Sequence, residues 1–238
     1  MRKQLIPFLL LILFCFTQQS FASNEENFTL QQGKNISLVV EKNEEKVVHL
    51  AIDLLKRDVK SVLDAELTIG GKESHVIIGT IGQSSLLKNY AKEVATIEGR
   101  HEAFLLKVLE GGKLLIAGSD KRGTIYGVYE LSRQLGVSPW YWWADAPVEK
   151  QGEAYILKGT YTDGEPAVEY RGLFLNDEAP CLTSWVKNTW GTNYGDHRFY
   201  ARVFELILRL RGNMLWPAMW SWAFYADDPE NGPTADKM

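Results

Sequence analysis

The stretch YRGLFLNDEAP ends an apolar run in three polar side chains, Asn176, Asp177 and Glu178. Carboxylates in such a place suit general acid–base chemistry, in which one carboxyl protonates a leaving group while another activates a water. Successive side chains of an extended chain point to opposite faces. Asp177 and Glu178 therefore cannot both flank one bond, and a partner carboxylate must come from elsewhere. Downstream, LWPAMWSWAFYADDP brings Trp216, Trp220 and Trp222. Their flat faces suit the C–H faces of sugar rings, and equally the inside of a core. The competing reading makes Asp177 a turn cap and the tryptophans core.

Other candidate chemistry is weaker. GSDKRGTIYG, residues 118–127, spaces Gly118 and Gly123 like a phosphate loop, but Thr124 stands where the loop lysine is required. GTIGQSS, residues 79–85, lacks the dinucleotide glycine pattern. Both read as strand-to-helix turns, with Lys121 or Arg122 free to reach a neighbouring domain or an anion. His49, His75, His101 and His197 show no metal-ligand spacing. No nucleophile elbow is present. No metal and no cofactor are expected.

These residues need elements to position them. ISLVV (36–40) reads as a strand, and residues 47–63 as a helix with Ile52, Leu55, Val59 and Val62 on one face. HVIIGT (75–80) is a strand. Residues 84–94 read as a helix capped by serine. EAFLLKVLEGGKLLIAG is a hairpin around Gly111-Gly112, and residues 123–136 form a helix closed by Gly136. After WYWWADAP and the Gly164–Pro166 region come a strand (170–176), a long loop (179–197), a helix (199–211) stopped by Gly212, and a strand (213–217). In that helix Arg202, Glu205, Arg209 and Arg211 are expected mostly outward. Strand, helix, strand makes a βαβ unit with parallel strands. If it opens a parallel barrel, Asn176 to Glu178 lie at the strand end where barrel enzymes place their chemistry, and the loop is long enough to be functional.

Composition sets the frame. Of 238 residues, 45% are hydrophobic and 24% charged, which excludes wholesale disorder. With 26 basic against 30 acidic residues and no basic block, nucleic acid is not an expected partner. All eight tryptophans fall between 140 and 222. Arg2 and Lys3, an apolar run from Leu5 to Phe16 and the small-residue site Ser20-Phe21-Ala22 read as an export signal over residues 1–22. The run is too short to span a bilayer comfortably, so stable membrane insertion is not expected. Cleavage would leave Cys181 alone and a periplasmic or extracellular protein without an internal disulfide.

YRGLFLNDEAP, FELILRLRGNMLWPAMW and GTIYGVYELSRQLGVSPWYWWADAPV together resemble glycoside hydrolase family 115, the xylan α-1,2-glucuronidases, from about residue 70 onward. The resemblance implies an α/β chain: a small N-terminal α/β domain (23–165), then the first βαβ unit of a TIM (β/α)8 barrel (166–238). It implies removal of glucuronic acid or its 4-O-methyl form from xylan with inversion. It places Asn176 and Asp177 in the pocket and Trp220 against the sugar. A full barrel needs roughly 250 residues, so the chain is expected to be the front of a longer protein, inactive alone. The expected partner is a xylan-derived polysaccharide or oligosaccharide, with a homodimer one form the full-length protein could take. Two rivals are a non-catalytic carbohydrate-binding module and another glycosidase such as a hexosaminidase.

Overall fold

A computed structural model describes residues 27–70, 74–176, 180–191, 195–217 and 222–238. β1 (Phe28–Gln31) precedes β2 (Ile36–Val39), α1 (Lys46–Leu63), β3 (Leu67–Ile69) and β4 (Val76–Thr80). A 3-10 turn over Ser85–Tyr90 runs into the single-turn α2 (Ala91–Val94). The hairpin β5 (Phe104–Leu109) and β6 (Lys113–Gly118), α3 (Lys121–Gln134), β7 (Glu153–Ile156) and β8 (Thr160–Tyr161) complete the front unit. β9 (Gly172–Leu175), α4 (Cys181–Trp190), α5 (His197–Arg209), β10 (Met214–Pro217), α6 (Phe224–Asp227) and α7 (Asn231–Asp236) follow. The fold is α/β, as the residue pattern and the resemblance imply.

The main sheet runs β3-β2-β4-β6-β5-β8, with the first four parallel and β5 antiparallel to both neighbours. The expected hairpin is present, and Gly111 and Gly112 supply its positive φ of 77° and 68°. Strand alternation splits the core in two. Val76, Ile78, Leu106 and Ile116 face α1 and α3, whereas Ile77, Leu105, Leu115 and Ala117 face the 3-10 turn and α2. β1 and β7 form an antiparallel pair whose inward residues, Phe28, Leu30, Ala154 and Ile156, join the first of these cores.

In such a sheet the crevice between β2 and β4, where strand order reverses, is the usual ligand position. Here the chain fills it. The Glu44 carboxylate accepts from Thr80 N and Thr80 Oγ1, both at 2.8 Å. Glu41 accepts from Ser85 N at 2.7 Å and also from Ser85 Oγ. These bonds correct the serine-capped helix expected over 84–94. Ser84 makes no cap bond, and a carboxylate from the β2 side satisfies the next donor instead. The segment is a 3-10 turn plus one α turn.

β9 and β10 pair in parallel, as the βαβ pattern requires, with Trp216 opposite Phe174 and Met214 opposite Gly172. Three expectations fail between them. The stretch expected as loop contains α4, closed by Gly191 at φ 67°. α5 is stopped by Arg211, at φ 65°, while Gly212 is a close-approach glycine whose Cβ would meet Ile207 at 2.7 Å and Arg171 O at 2.9 Å. Glu205 and Arg209 are not outward; both are 5% exposed.

Candidate active site

β9 presents alternate residues to two environments. Leu173 and Leu175, with Leu215 of β10, pack on Val186, Phe199, Val203 and Ile207 of α4 and α5. Phe174 and Trp216 take the other face, each 61% exposed, with ring centroids 6.1 Å apart. The apolar run before Asn176 is therefore buried on one side only. Asn176 follows β9 directly and is exposed. Asp177, Glu178 and Trp220 lie outside the described residues. Of the tryptophans expected to line a pocket, Trp216 stands on the open face, whereas Trp222 packs with the second unit's core. The structure thus puts Trp216 on the strand paired with the one that precedes Asn176, and packs part of Trp222 on the second unit's core. Among the described residues no group of three His, Cys, Asp or Glu side chains could hold a metal, and no helix is long and apolar enough to cross a membrane.

The positions of β9 and β10 are set from the front unit by buried charge. Arg171, just before β9, pairs through Nη2 with Glu102, which is 4% exposed. Asn213, just before β10, donates to both Glu102 oxygens at 3.2 Å, and its Oδ1 accepts from Arg171 N at 2.9 Å. Tyr126 of α3 donates to Gly212 O at 2.9 Å. Burial pushes the Glu102 carboxyl up, but Arg171 and Asn213 outweigh it and hold it below the ordinary range. Burial and the Glu102 charge push the Tyr126 hydroxyl up to about 12. Glu102 itself sits at φ 48°, a conformation that side chains other than glycine seldom adopt. Arg122 comes within 3.6 Å of Glu102 and lines a cavity of about 260 Å³ with Phe204, Asn213 and Met214. That is the reach to a neighbouring unit considered for it from sequence.

Two further clusters serve the same joint. Arg209 of α5 reaches Asp58 of α1 at 2.8 Å and Glu205 at 2.9 Å, and lies 4.7 Å over the Tyr129 ring. Burial disfavours the Glu205 charge, yet Arg209 and Arg57 keep its carboxyl below the usual value. Arg211 pairs with Glu130 at 2.7 Å and Asp163 at 3.1 Å. Sequence periodicity could not reveal these pairs, because Asp58 and Glu130 belong to helices far earlier in the chain.

A sheet domain clamped to a strand–helix–strand unit, with an aromatic face at the strand end, fits a sugar-processing enzyme, and the comparisons define that class. Residues 163–238 match the model of "Glycosyl hydrolase family 115", and residues 21–131 that of "Glycosyl hydrolase family 67 N-terminus". The chain is of the glycoside hydrolase class. More particularly, it is family-115-like, as the sequence motifs imply. A solved structure described as "a novel family GH115 4-O-Methyl-alpha-glucuronidase, BtGH115A, with specificity for decorated arabinogalactans" is 40% identical with a TM-score of 0.81, covering 88% of this chain and 28% of its own. This chain thus spans under a third of that relative's length. A second structure, CpGH84D, gives 10% identity and a TM-score of 0.49 over 88% of this chain and 40% of its own, too low to carry an argument. No curated protein matches the chain.

Proposed function

We propose that this chain is the front of an exported glucuronidase that removes glucuronic acid or 4-O-methyl-glucuronic acid side chains from glucuronoxylan with inversion. The observation that carries this reading is the parallel β9–β10 register. It sets Phe174 beside Trp216 on one open face and ends with Leu175 opposite Pro217, so the chain leaves both strands at the same end. In this reading the two strands open a TIM barrel, and the open aromatic face is its interior. Asp177 or Glu178 supplies one carboxyl, and later strands supply its partner. Asn176, Trp216 and Trp220 hold the sugar. Residues 1–238 alone are inactive, because β9 and β10 leave unpaired edges.

The test is release of uronic acid from glucuronoxylan by the complete protein and its Asp177→Asn variant. A fall of at least ~10²-fold in turnover with folding intact is expected. A fully active, merely less stable variant would return Asp177 to the role of a turn cap. A second substrate reading has its own support, the arabinogalactan specificity of the 40%-identical neighbour. Parallel assays on glucuronoxylan and on glucuronic-acid-decorated arabinogalactan separate the two.

A further inference from the structure

The segment 140–143 follows α3 in the front unit, yet its side chains serve the second unit. Trp142 meets Trp185 at 5.6 Å and Trp190 at 5.1 Å. Trp143 stacks on Trp185 at 5.6 Å and 25°, and meets Phe199 edge-on at 6.1 Å. Trp142 and Trp143 contact each other edge-to-face at 4.8 Å, and Arg202 lies 5.6 Å over Trp142. Between them and the front unit, Tyr141 donates to Glu205 Oε1 at 3.0 Å and accepts from Arg57 at 2.6 Å.

Trp185 and Trp190 belong to α4, which also sets Val186, Leu182 and Trp190 on the second unit's core. Val186 is its one fully buried side chain, and no side chain caps its N-terminus at Pro180. Asn176, at the end of β9, and Pro180, at the start of α4, flank the three residues that include Asp177 and Glu178. β9 is fixed by its pairing and by Arg171; α4 is held between that core and two tryptophans from another unit.

We infer that Trp142 and Trp143 are positioning residues: an aromatic clasp from the front unit that seats α4 and, through it, the carboxylate-bearing segment. The clasp touches no substrate. It acts by holding one end of that segment, and a misplacement of about 1 Å at a reacting group can cost ~10²-fold in rate. The inference rests on the proposed reading of Asp177 or Glu178 as catalytic.

The experiment compares Trp143→Ala and Trp143→Phe in the complete protein, by hydrogen exchange of α4 amides and by kcat and KM on an aldouronic oligosaccharide. Trp143→Ala should speed α4 exchange at least ~10-fold while the six-stranded sheet keeps its protection. It should lower kcat ~10- to 100-fold with KM within about threefold. Trp143→Phe keeps a ring to stack and should recover most of both. Where Trp143→Ala fails to fold, Trp185→Leu removes the stacking partner from the α4 side and must give the same pattern. Unchanged α4 exchange overturns the clasp. Loosened α4 with kcat retained overturns the positioning role. A parent protein that releases no uronic acid from any substrate removes the proposed function and the positioning role with it, while the exchange data still decide whether the clasp holds α4.

Discussion

Replacing Glu102 by glutamine tests whether the joint is held by charge. The variant keeps size and shape and removes one negative charge from a site 4% exposed. Breaking a buried ion pair by removing one partner costs ~3–5 kcal/mol, because the other charge is left uncompensated. That range is an upper bound here. The Arg171 side chain is 22% exposed, and it keeps three backbone acceptors, Arg211 O, Val168 O and Glu169 O. A cost of about 2–3 kcal/mol follows. At ~2–4 °C per kcal/mol for a chain of this size, the thermal midpoint should fall by about 4–12 °C. Urea unfolding should show a lower midpoint with an unchanged slope. The linkage fixes the pH dependence. Glu102's folded pKa lies below its ordinary value of 4.5, so its contribution is complete above pH 4.5 and is lost as pH falls through the folded value. The difference between parent and Glu102→Gln should therefore vanish in acid. Lys60–Asp64, with both side chains more than half exposed, is the internal control, and Lys60→Ala should leave the midpoint unmoved. A Glu102→Gln protein as stable as its parent at pH 7 would refute the reasoning.

Gly172→Ala would place a Cβ 1.9 Å from Met214 O, so β9 and β10 must separate. Loss of tryptophan near-ultraviolet dichroism with the main sheet intact is expected, at a cost above ~4 kcal/mol. Trp216→Ala removes a ring 61% exposed, so its unfolding midpoint should stay within ~0.5 kcal/mol of the parent's while xylo-oligosaccharide binding by the complete protein weakens. Asp228 is held at about 2 by the backbone N–H of His197, the His197 ring and the N–H of Glu230. Its folded pKa is depressed, so its support of the α5 N-terminus is present above pH 3.8 and lost as pH falls toward 2. Hydrogen exchange at the His197 amide, which donates to Asp228, should rise in that window, and Asp228→Asn should abolish the change.

What could be read from the residues was what local period and turn chemistry determine. α1 and α3 carry their apolar positions at helical spacing, Gly111-Gly112 allows one kind of turn, and strand–helix–strand order requires the parallel β9–β10 pair. α4 was illegible because only one fully buried side chain, Val186, marks its inner face, and its tryptophans meet partners from 140–143. Glu205 and Arg209 look solvated in sequence because charges belong in water unless paired. Their partners Arg57 and Asp58 stand 148 and 151 positions away. Of the site, the parallel pairing of the strand before Asn176 with the strand that carries Trp216 was legible; Asp177 and Trp220, expected as neighbours, lie outside the described residues. Trp222's packing on the second unit's core was not legible, because an aromatic's period says nothing about which face is covered.

The carboxylates of Glu41 and Glu44 have a consequence for the crevice of the front unit. They sit on the donors that, in sheets of this order, greet a phosphate or another anion. The crevice thus carries its own anions on the Thr80 and Ser85 donors. An anion arriving at these donors would first have to displace Glu44 from Thr80 and Glu41 from Ser85.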